Sequence, residues 1–217
     1  MQEMWIVVLT ALTGYLLGSI NTGIIVSRVF FGDDVRHHGS GSAGMTNMLR
    51  TFCKKAAAMT ALGDVLKGVL AVIIGSWMFA HLMHVPGQWG GYIAYLGAVL
   101  GHWKPIYFGF KGGKCVLVAA GGLLAMHPPM ILLEACVFFA FFLPTRMVSL
   151  GSVAMGLMYP VVAGLYGYFA LGYTGQPLWL FVGVTAVVGG VIVYLHRANI
   201  RRILNGTEYR FTKKNKK

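Results

Sequence analysis

Three stretches of the chain contain no Asp, Glu, Lys or Arg: Met4 to Ser27, Gly68 to Trp103 and Met147 to His196. Their apolar residues run in blocks, without the strict alternation of a half-buried strand, and ~20 such residues carry a helix across a bilayer. Prolines and glycines punctuate the blocks. The pattern predicts seven helical spans: about Met4 to Ser27, Ala56 to Ala80, Gln88 to Phe108, Cys115 to Met126, Met130 to Leu143, Met147 to Phe169 and Leu178 to Leu195. Pro128-Pro129 stops the fourth, Pro144 stops the fifth, and the run from Gly172 to Pro177 precedes the seventh.

The charged residues sort the intervening loops. Arg28, Arg36, Arg50, Lys54 and Lys55 follow the first span, Lys104, Lys111 and Lys114 precede the fourth, Arg146 precedes the sixth, and the remaining eight basic residues begin at Arg197. The one basic residue inside a span is Lys67; the other 17 of 18 fall on a single side. The positive-inside rule makes that side cytoplasmic. The expectation is an all-α integral membrane protein with seven transmembrane helices, its N-terminus outside and its C-terminus in the cytoplasm. Met4 to Ser27 begins beside Glu3 and is followed, not preceded, by positive charge, so it reads as an anchor helix rather than a cleavable signal. Residues 1–200 form the expected membrane domain, and 201–217 a polybasic tail lying along anionic lipid.

Composition agrees. Hydrophobic residues make up 57% of the chain and charged residues 11%, against roughly 25% charged in soluble domains. Aromatics at 13% exclude a disordered chain. The net charge of +12 suits an anionic substrate or lipid. It does not indicate nucleic acid, because no basic domain stands apart from the spans. Cys53, Cys115 and Cys136 have no metal-ligand or disulfide-framework spacing.

The fourth span, at 12 residues, reaches only ~18 Å, short of a ~30 Å hydrocarbon core. The glycine-rich run Gly109-Phe110-Lys111-Gly112-Gly113-Lys114 before it is expected to dip into the membrane from the cytoplasmic side, as a candidate site. It resembles the end of a Walker A loop. The upstream glycine spacing is wrong, however, and no Ser or Thr follows Lys114, which rejects a nucleotide loop. A phosphate cradle and ordinary positive-inside anchoring remain as alternatives for this run. A second candidate is Arg36-His37-His38-Gly39-Ser40-Gly41-Ser42-Ala43-Gly44-Met45-Thr46-Asn47 with Arg50, where glycine, hydroxyl and guanidinium groups are concentrated as anion binding requires. A third is His196-Arg197-Ala198-Asn199, which puts His196 and Asn199 on one helix face. Asp64 and Lys67, three apart inside a span, predict a buried ion pair; Glu134 has no evident partner. His102 and Lys104 are further candidates for facing a site.

Together these stretches resemble the bacterial acyl-phosphate:glycerol-3-phosphate acyltransferases, the PlsY family. The matching pieces are Leu17-Gly18-Ser19-Ile20, Arg36 with Gly39-Ser40-Gly41, Gly44-Met45-Thr46-Asn47, Arg50 and Asp64-Val65-Leu66-Lys67-Gly68. Further on come Gly101-His102, Pro105, Phe108 through Lys114, Ser149-Leu150 and His196 through Ile200. The resemblance covers nearly the whole chain. It implies transfer of a fatty acyl group from acyl phosphate to the first-position hydroxyl of glycerol 3-phosphate, in the bacterial cytoplasmic membrane and facing the cytoplasm, with no cofactor and no metal. It implies catalytic roles for Ser40, His196 and Asn199. It also implies substrate-binding roles for Arg50, Gly39, Gly41, Ser42, Thr46, Asn47, Lys111, Gly112, Gly113 and Lys114, to which His102 and Lys104 are added. The expected partners are acyl phosphate, glycerol 3-phosphate and membrane lipid. The family usually has Asn at Ser42, Gly-Val-Ala-Thr at Cys115 to Val118, and Arg at Leu195. The competing class is a transporter for an organic phosphate or another anion, which also uses discontinuous spans; no internal repeat accompanies it here.

Overall fold

The structure, a computed structural model, describes residues 2–211, and every regular element among them is helical. The chain divides after Pro128 into two compact units. The first holds α1 (Gln2–Ser19), α2 (Thr22–Phe31), α3 (Met45–Thr51), α4 (Lys54–Met78, extended by a π turn, Phe79–Met83), α5 (Gln88–Trp103) and α6 (Val116–Met126). The second holds α7 (Pro128–Thr145, whose first residue ends the first unit), α8 (Val148–Phe169), α9 (Gly175–Leu195) and α10 (Arg197–Leu204).

One predicted element is divided. Instead of a continuous helix from Met4 to Ser27, α1 ends at Ser19 and α2 begins at Thr22. Asn21 takes an extended backbone, and its Oδ1 accepts from Ile24 N at 3.4 Å, capping α2. The break leaves the Ile20 carbonyl without a helical donor. Lys67 of α4 supplies one, its Nζ donating to Ile20 O at 2.9 Å. Irregular backbone is thus satisfied within the protein, as membrane depth demands.

Small residues let the helices of the first unit approach closely. α1 packs along α5, and a side chain at Gly14 or Gly18 would run into the backbone of Ala94 or Ala98. This is the small-residue seam that lets van der Waals contact hold helices together where lipid supplies no hydrophobic drive. α4 packs on both α5 and α6. The predicted pair of Asp64 and Lys67 forms, at 2.8 Å and almost fully buried.

In the second unit α8 and α9 pack where Gly156 meets Gly189. α10 packs against both helices, and the segment after it turns back so that Phe211 N donates to Arg146 O at 2.9 Å. Glu134 of α7 is 3% exposed, with neither carboxylate oxygen hydrogen-bonded. Residues 201–211 of the expected tail are therefore built into the unit, while 212–217 lie outside the described residues.

By length and composition, five helical stretches among the described residues can cross a membrane: Glu3–Phe31, Lys54–Met83, Pro128–Thr145, Val148–Phe169 and Gly175–Leu195. α5 has 16 residues and α6 has 11, or ~24 Å and ~17 Å at the helical rise. Both are shorter than a ~30 Å hydrocarbon core.

Candidate active site

The loop from Asp33 to Gly44 is an organised structure with its own core. Ile24, Val26, Val35, Ala43, Met48, Ala56 and Ala57 pack beneath it, with Met45, Leu49, Phe52 and Phe108 at the margin. Asn47, 2% exposed, braces the turn from inside. Its Nδ2 donates to Val35 O, His38 O and Ser42 O at 3.0, 2.9 and 3.0 Å, and its Oδ1 accepts from Ser40 N at 3.0 Å. Gly39 and Gly41 have φ of 56° and 68°, a left-handed backbone that side chains other than glycine's take up only with strain. The turn lifts Ser40 into an exposed position. Thr46 and Arg50 follow on α3, each partly buried, as is Ser42. Asn47, expected at the substrate, has its side-chain amide engaged in holding the loop.

The glycine loop is fastened to this structure and to α5. Arg36 donates through Nη1 to Phe108 O at 2.7 Å and to Lys111 O at 3.1 Å, while Nε and Nη2 reach the Asp34 carboxylate at 3.0 and 2.7 Å. Arg28 also donates to Asp34, at 2.9 Å, and stacks its guanidinium 5.7 Å from the Phe108 ring centroid. The Arg36 guanidinium is the main cause that holds the Asp34 carboxyl well below the usual carboxylate range, against the opposing effect of burial. Gly112 N donates to Trp103 O at 3.2 Å and Gly113 N to His102 O at 3.1 Å. Phe108 N and Phe110 N both donate to Pro105 O. These four backbone donors face the protein. The close approach to α5 is what requires glycine here, since a side chain at Gly112 would meet His102 O and one at Gly113 the His102 ring. The cationic side chains that this loop offers an anion are Lys111, exposed, and Lys114, partly buried.

His102 lies under the loop, 3% exposed, its Nδ1 2.8 Å from Lys67 Nζ. Lys104 is exposed, with its ammonium 5.6 Å from the Trp103 ring centroid and its carbonyl accepting from Tyr15 Oη at 2.8 Å. Cys115, where the resembled family usually has glycine, adopts φ 67°, buried, with Sγ donating to Val99 O at 3.3 Å.

His196 and Asn199 belong to the second unit, at the joint of α9 and α10, and both are buried at 4% exposure. His196 Nδ1 is 2.8 Å from Ile192 O. A carbonyl only accepts, so Nδ1 carries a proton, and in the neutral ring Nε2 is the nitrogen able to take one up. Asn199 Nδ2 donates to Glu208 Oε1 at 2.7 Å; Ser149 Oγ donates to the same oxygen at 2.7 Å, and Arg202 Nε to Oε2 at 2.7 Å. Burial raises the Glu208 pKa, but the bonds from Ser149, Asn199 and Arg202 outweigh it, and the carboxyl lies below its ordinary value. Glu208 thus organises the Asn199 amide. Sequence reading missed it: it lies nine residues beyond Asn199, in a stretch read only as a basic tail. A lone acid in that tail, Glu208 beside Arg202, Arg201 and Arg210, was the available signal.

Residues 8–206 match the family described as glycerol-3-phosphate acyltransferase. A glycerol-3-phosphate acyltransferase of Clostridioides difficile (strain 630) is 40% identical over 98% of this chain and 99% of its own. One of Pseudomonas aeruginosa (strain LESB58) is 41% identical over 94% and 98%. Two crystal structures of PlsY (YgiH), an integral membrane glycerol 3-phosphate acyltransferase, superpose. The glycerol 3-phosphate form has a TM-score of 0.79 at 36% identity, covering 95% of this chain and 96% of that one. The lysophosphatidic acid form has 0.77 at 33%, covering 95% of each. With its fold and nearly its full length in common with these proteins, the chain belongs to the glycerol-3-phosphate acyltransferase family.

Proposed function

We propose that this chain transfers a fatty acyl group from acyl phosphate to the first-position hydroxyl of glycerol 3-phosphate, giving lysophosphatidic acid and inorganic phosphate. One observation carries the reading beyond family membership: two anion-suited loops, one presenting Ser40 and Arg50 and the other Lys111 and Lys114, are bolted together by Arg36. Both substrates carry phosphate, so a pair of such loops matches the reaction. The related structures named for glycerol 3-phosphate and lysophosphatidic acid support the acceptor and the product.

The hydroxyl oxygen attacks the acyl carbonyl carbon, the carbonyl-to-phosphate C–O bond breaks, and phosphate departs. Acyl phosphate is already an activated mixed anhydride, so the protein's contribution is positioning and charge stabilisation. Lys111, Lys114 and Arg50 hold phosphate charge, with Ser40 as a hydroxyl donor; Ser42, Thr46 and Lys104 are further substrate contacts. His196, with Nε2 unprotonated, is the acceptor for the hydroxyl proton, and Asn199, fixed by Glu208, presents its amide. Gly39, Gly41, Gly112, Gly113 and Asn47 give the loops their shape. A phosphate oxygen of the donor is the other candidate base. His196→Gln separates the two: loss of about a hundredfold or more in turnover supports the histidine, and retained turnover assigns the proton to phosphate.

In this reading α5 and α6 are short spans added to the five long ones, and the positive-inside rule supports basic loops on the cytoplasmic side of a bacterial inner membrane. Residues 1–200 serve as one acyltransferase domain; of the extension 201–217, Arg202 and Glu208 belong with Asn199, and the remaining basic residues adhere to anionic lipid.

Donor choice tests the reading. Purified protein in lipid is given glycerol 3-phosphate with palmitoyl phosphate or, in parallel, palmitoyl coenzyme A. Lysophosphatidic acid from the phosphate alone is expected; product from the thioester alone overturns the donor assignment.

A further inference from the structure

Beneath the glycine loop lies a buried polar cluster that the transfer step leaves unexplained. Asp64, Lys67 and His102 are 1%, 5% and 3% exposed. The Lys67 ammonium donates to Ile20 O at 2.9 Å, lies 2.8 Å from His102 Nδ1, and is ion-paired at 2.8 Å with Asp64 Oδ1, an oxygen that takes no hydrogen bond. Asp64 supplies the countercharge that a buried ammonium needs.

This arrangement fixes the histidine. An ammonium has no lone pair, so His102 Nδ1 accepts from it and carries no proton. Asp64 Oδ1, at 3.7 Å, is beyond hydrogen-bonding distance from Nδ1. The imidazole proton therefore sits on Nε2, and Nε2 points at the loop, because a side chain added to Gly113 would collide with Nε2, Cε1 and Cδ2 of this ring. His102 is the tautomeric opposite of His196: one offers a proton and the other a lone pair. Three backbone N–H groups of the loop, those of Phe110, Gly112 and Gly113, are already spent on Pro105, Trp103 and His102 carbonyls, so side-chain donors add to what the loop can offer an anion.

We propose that His102, set by Lys67 as the Nε2–H tautomer, is a phosphate-binding donor at the floor of the Gly109–Lys114 loop. This rests on the reading of that loop as the holder of a substrate phosphate. The Asp64–Lys67 pair acts through His102, as a positioning pair that touches no substrate.

The test uses the full-length protein in lipid, with inorganic phosphate as the probe and its inhibition constant in the acyl-transfer assay as the readout. His102→Asn keeps an acceptor near the Nδ1 position for Lys67 but removes the donor at Nε2. His102→Gln keeps a donor near Nε2. We expect His102→Asn to raise the phosphate inhibition constant and the KM of a phosphate substrate about tenfold, the cost of one hydrogen bond to a charged group, and His102→Gln to recover most of it. A merely structural histidine gives no such rescue. Lys114→Ala is the control on the loop itself. If it weakens phosphate while His102→Asn does not, the histidine proposal fails and the loop reading stands; if neither weakens phosphate, the loop reading fails and takes the proposal with it. Nitrogen-15 spectra of protein labelled at histidine and lysine decide the matter even if the variants do not fold. The ring coupled to a lysine ammonium should carry its proton on Nε2 and shift there when phosphate is added. A proton on Nδ1, or an Nε2 signal unmoved by bound phosphate, overturns the proposal.

Discussion

Arg36 Nη1 donates to the Phe108 carbonyl at 2.7 Å, across 72 positions of sequence. Through this bond, and a second to Lys111 O, the loop after α2 sets the position of the loop before α6. The same guanidinium is held by Asp34, which Arg28 also grips. Arg36 is thus occupied by protein acceptors, and its charge fixes loop geometry.

Replacing Arg36 by Ala should raise the KM for a phosphate substrate about tenfold, about 1.4 kcal/mol, with a smaller effect on turnover in saturated enzyme. Lys should fail to rescue it, because one ammonium cannot grip a carboxylate bidentately and also reach two carbonyls. Steady-state kinetics of both variants check this. Full rescue by Lys would mean that charge alone matters there.

Asn47, on α3, braces the loop that holds Ser40, and their substitutions should separate. Asn47→Ala removes the brace of Val35, His38, Ser40 and Ser42 from a buried position and should lower stability by about 2–3 kcal/mol. Ser40→Ala, at an exposed position, should change stability by less than about 0.5 kcal/mol and act on turnover. Thermal unfolding beside the acyl-transfer assay distinguishes them. An Asn47→Ala protein of unchanged stability that has lost turnover would move Asn47 to the substrate.

Much of this was legible in sequence. Long uncharged blocks gave the helical membrane class, the i, i+3 spacing gave the Asp64–Lys67 pair, and the density of Gly, Ser and Arg marked the first loop. The break at Ile20-Asn21 was not, because the hydrophobic run continues through it and the stop depends on a local Asn cap plus a distant lysine. The roles of Arg36, His102 and Glu208 were hidden for a similar reason: each has a partner far along the chain, Lys111 at 75 positions from Arg36, Lys67 at 35 from His102 and Ser149 at 59 from Glu208, beyond any periodicity. Lys67 read as half of a pair; its third contact, which sets a histidine tautomer, needed coordinates.

Cys115 holds φ 67°, a backbone that favours glycine. The left-handed backbone costs a non-glycine residue about 1–2 kcal/mol, and burying the small side chain returns about 1 kcal/mol. Cys115→Gly should therefore lie within about 1 kcal/mol of the parent. Cys115→Val puts a β-branched side chain in that backbone at a 1% exposed site and should lose about 2 kcal/mol or more. Unfolding midpoints compare them; equal tolerance of Val and Gly would contradict the left-handed assignment.

Glu208 gives a pH dependence of stability. Its pKa in the folded chain lies below the ordinary value, so its contribution is full above the ordinary glutamate range and is lost as pH falls through the lowered value. Asp34 acts in the same direction. Glu208→Gln should remove about 2 kcal/mol near neutral pH, since Arg202 and the shared bonds lose their carboxylate. The gap between variant and parent should close as pH is lowered. Unfolding midpoints across pH test it, and a gap that widens in acid would reverse the sign.

The central claim is a chemical balance: one acyl group leaves phosphate for each one that arrives on glycerol 3-phosphate. The most direct measurement follows phosphate release and labelled lysophosphatidic acid together, with palmitoyl phosphate and labelled glycerol 3-phosphate supplied to purified protein in sealed vesicles. The account predicts the two products in equal amounts, each dependent on the other substrate. Phosphate without lysophosphatidic acid, or labelled glycerol 3-phosphate carried unchanged into the vesicles, would contradict it.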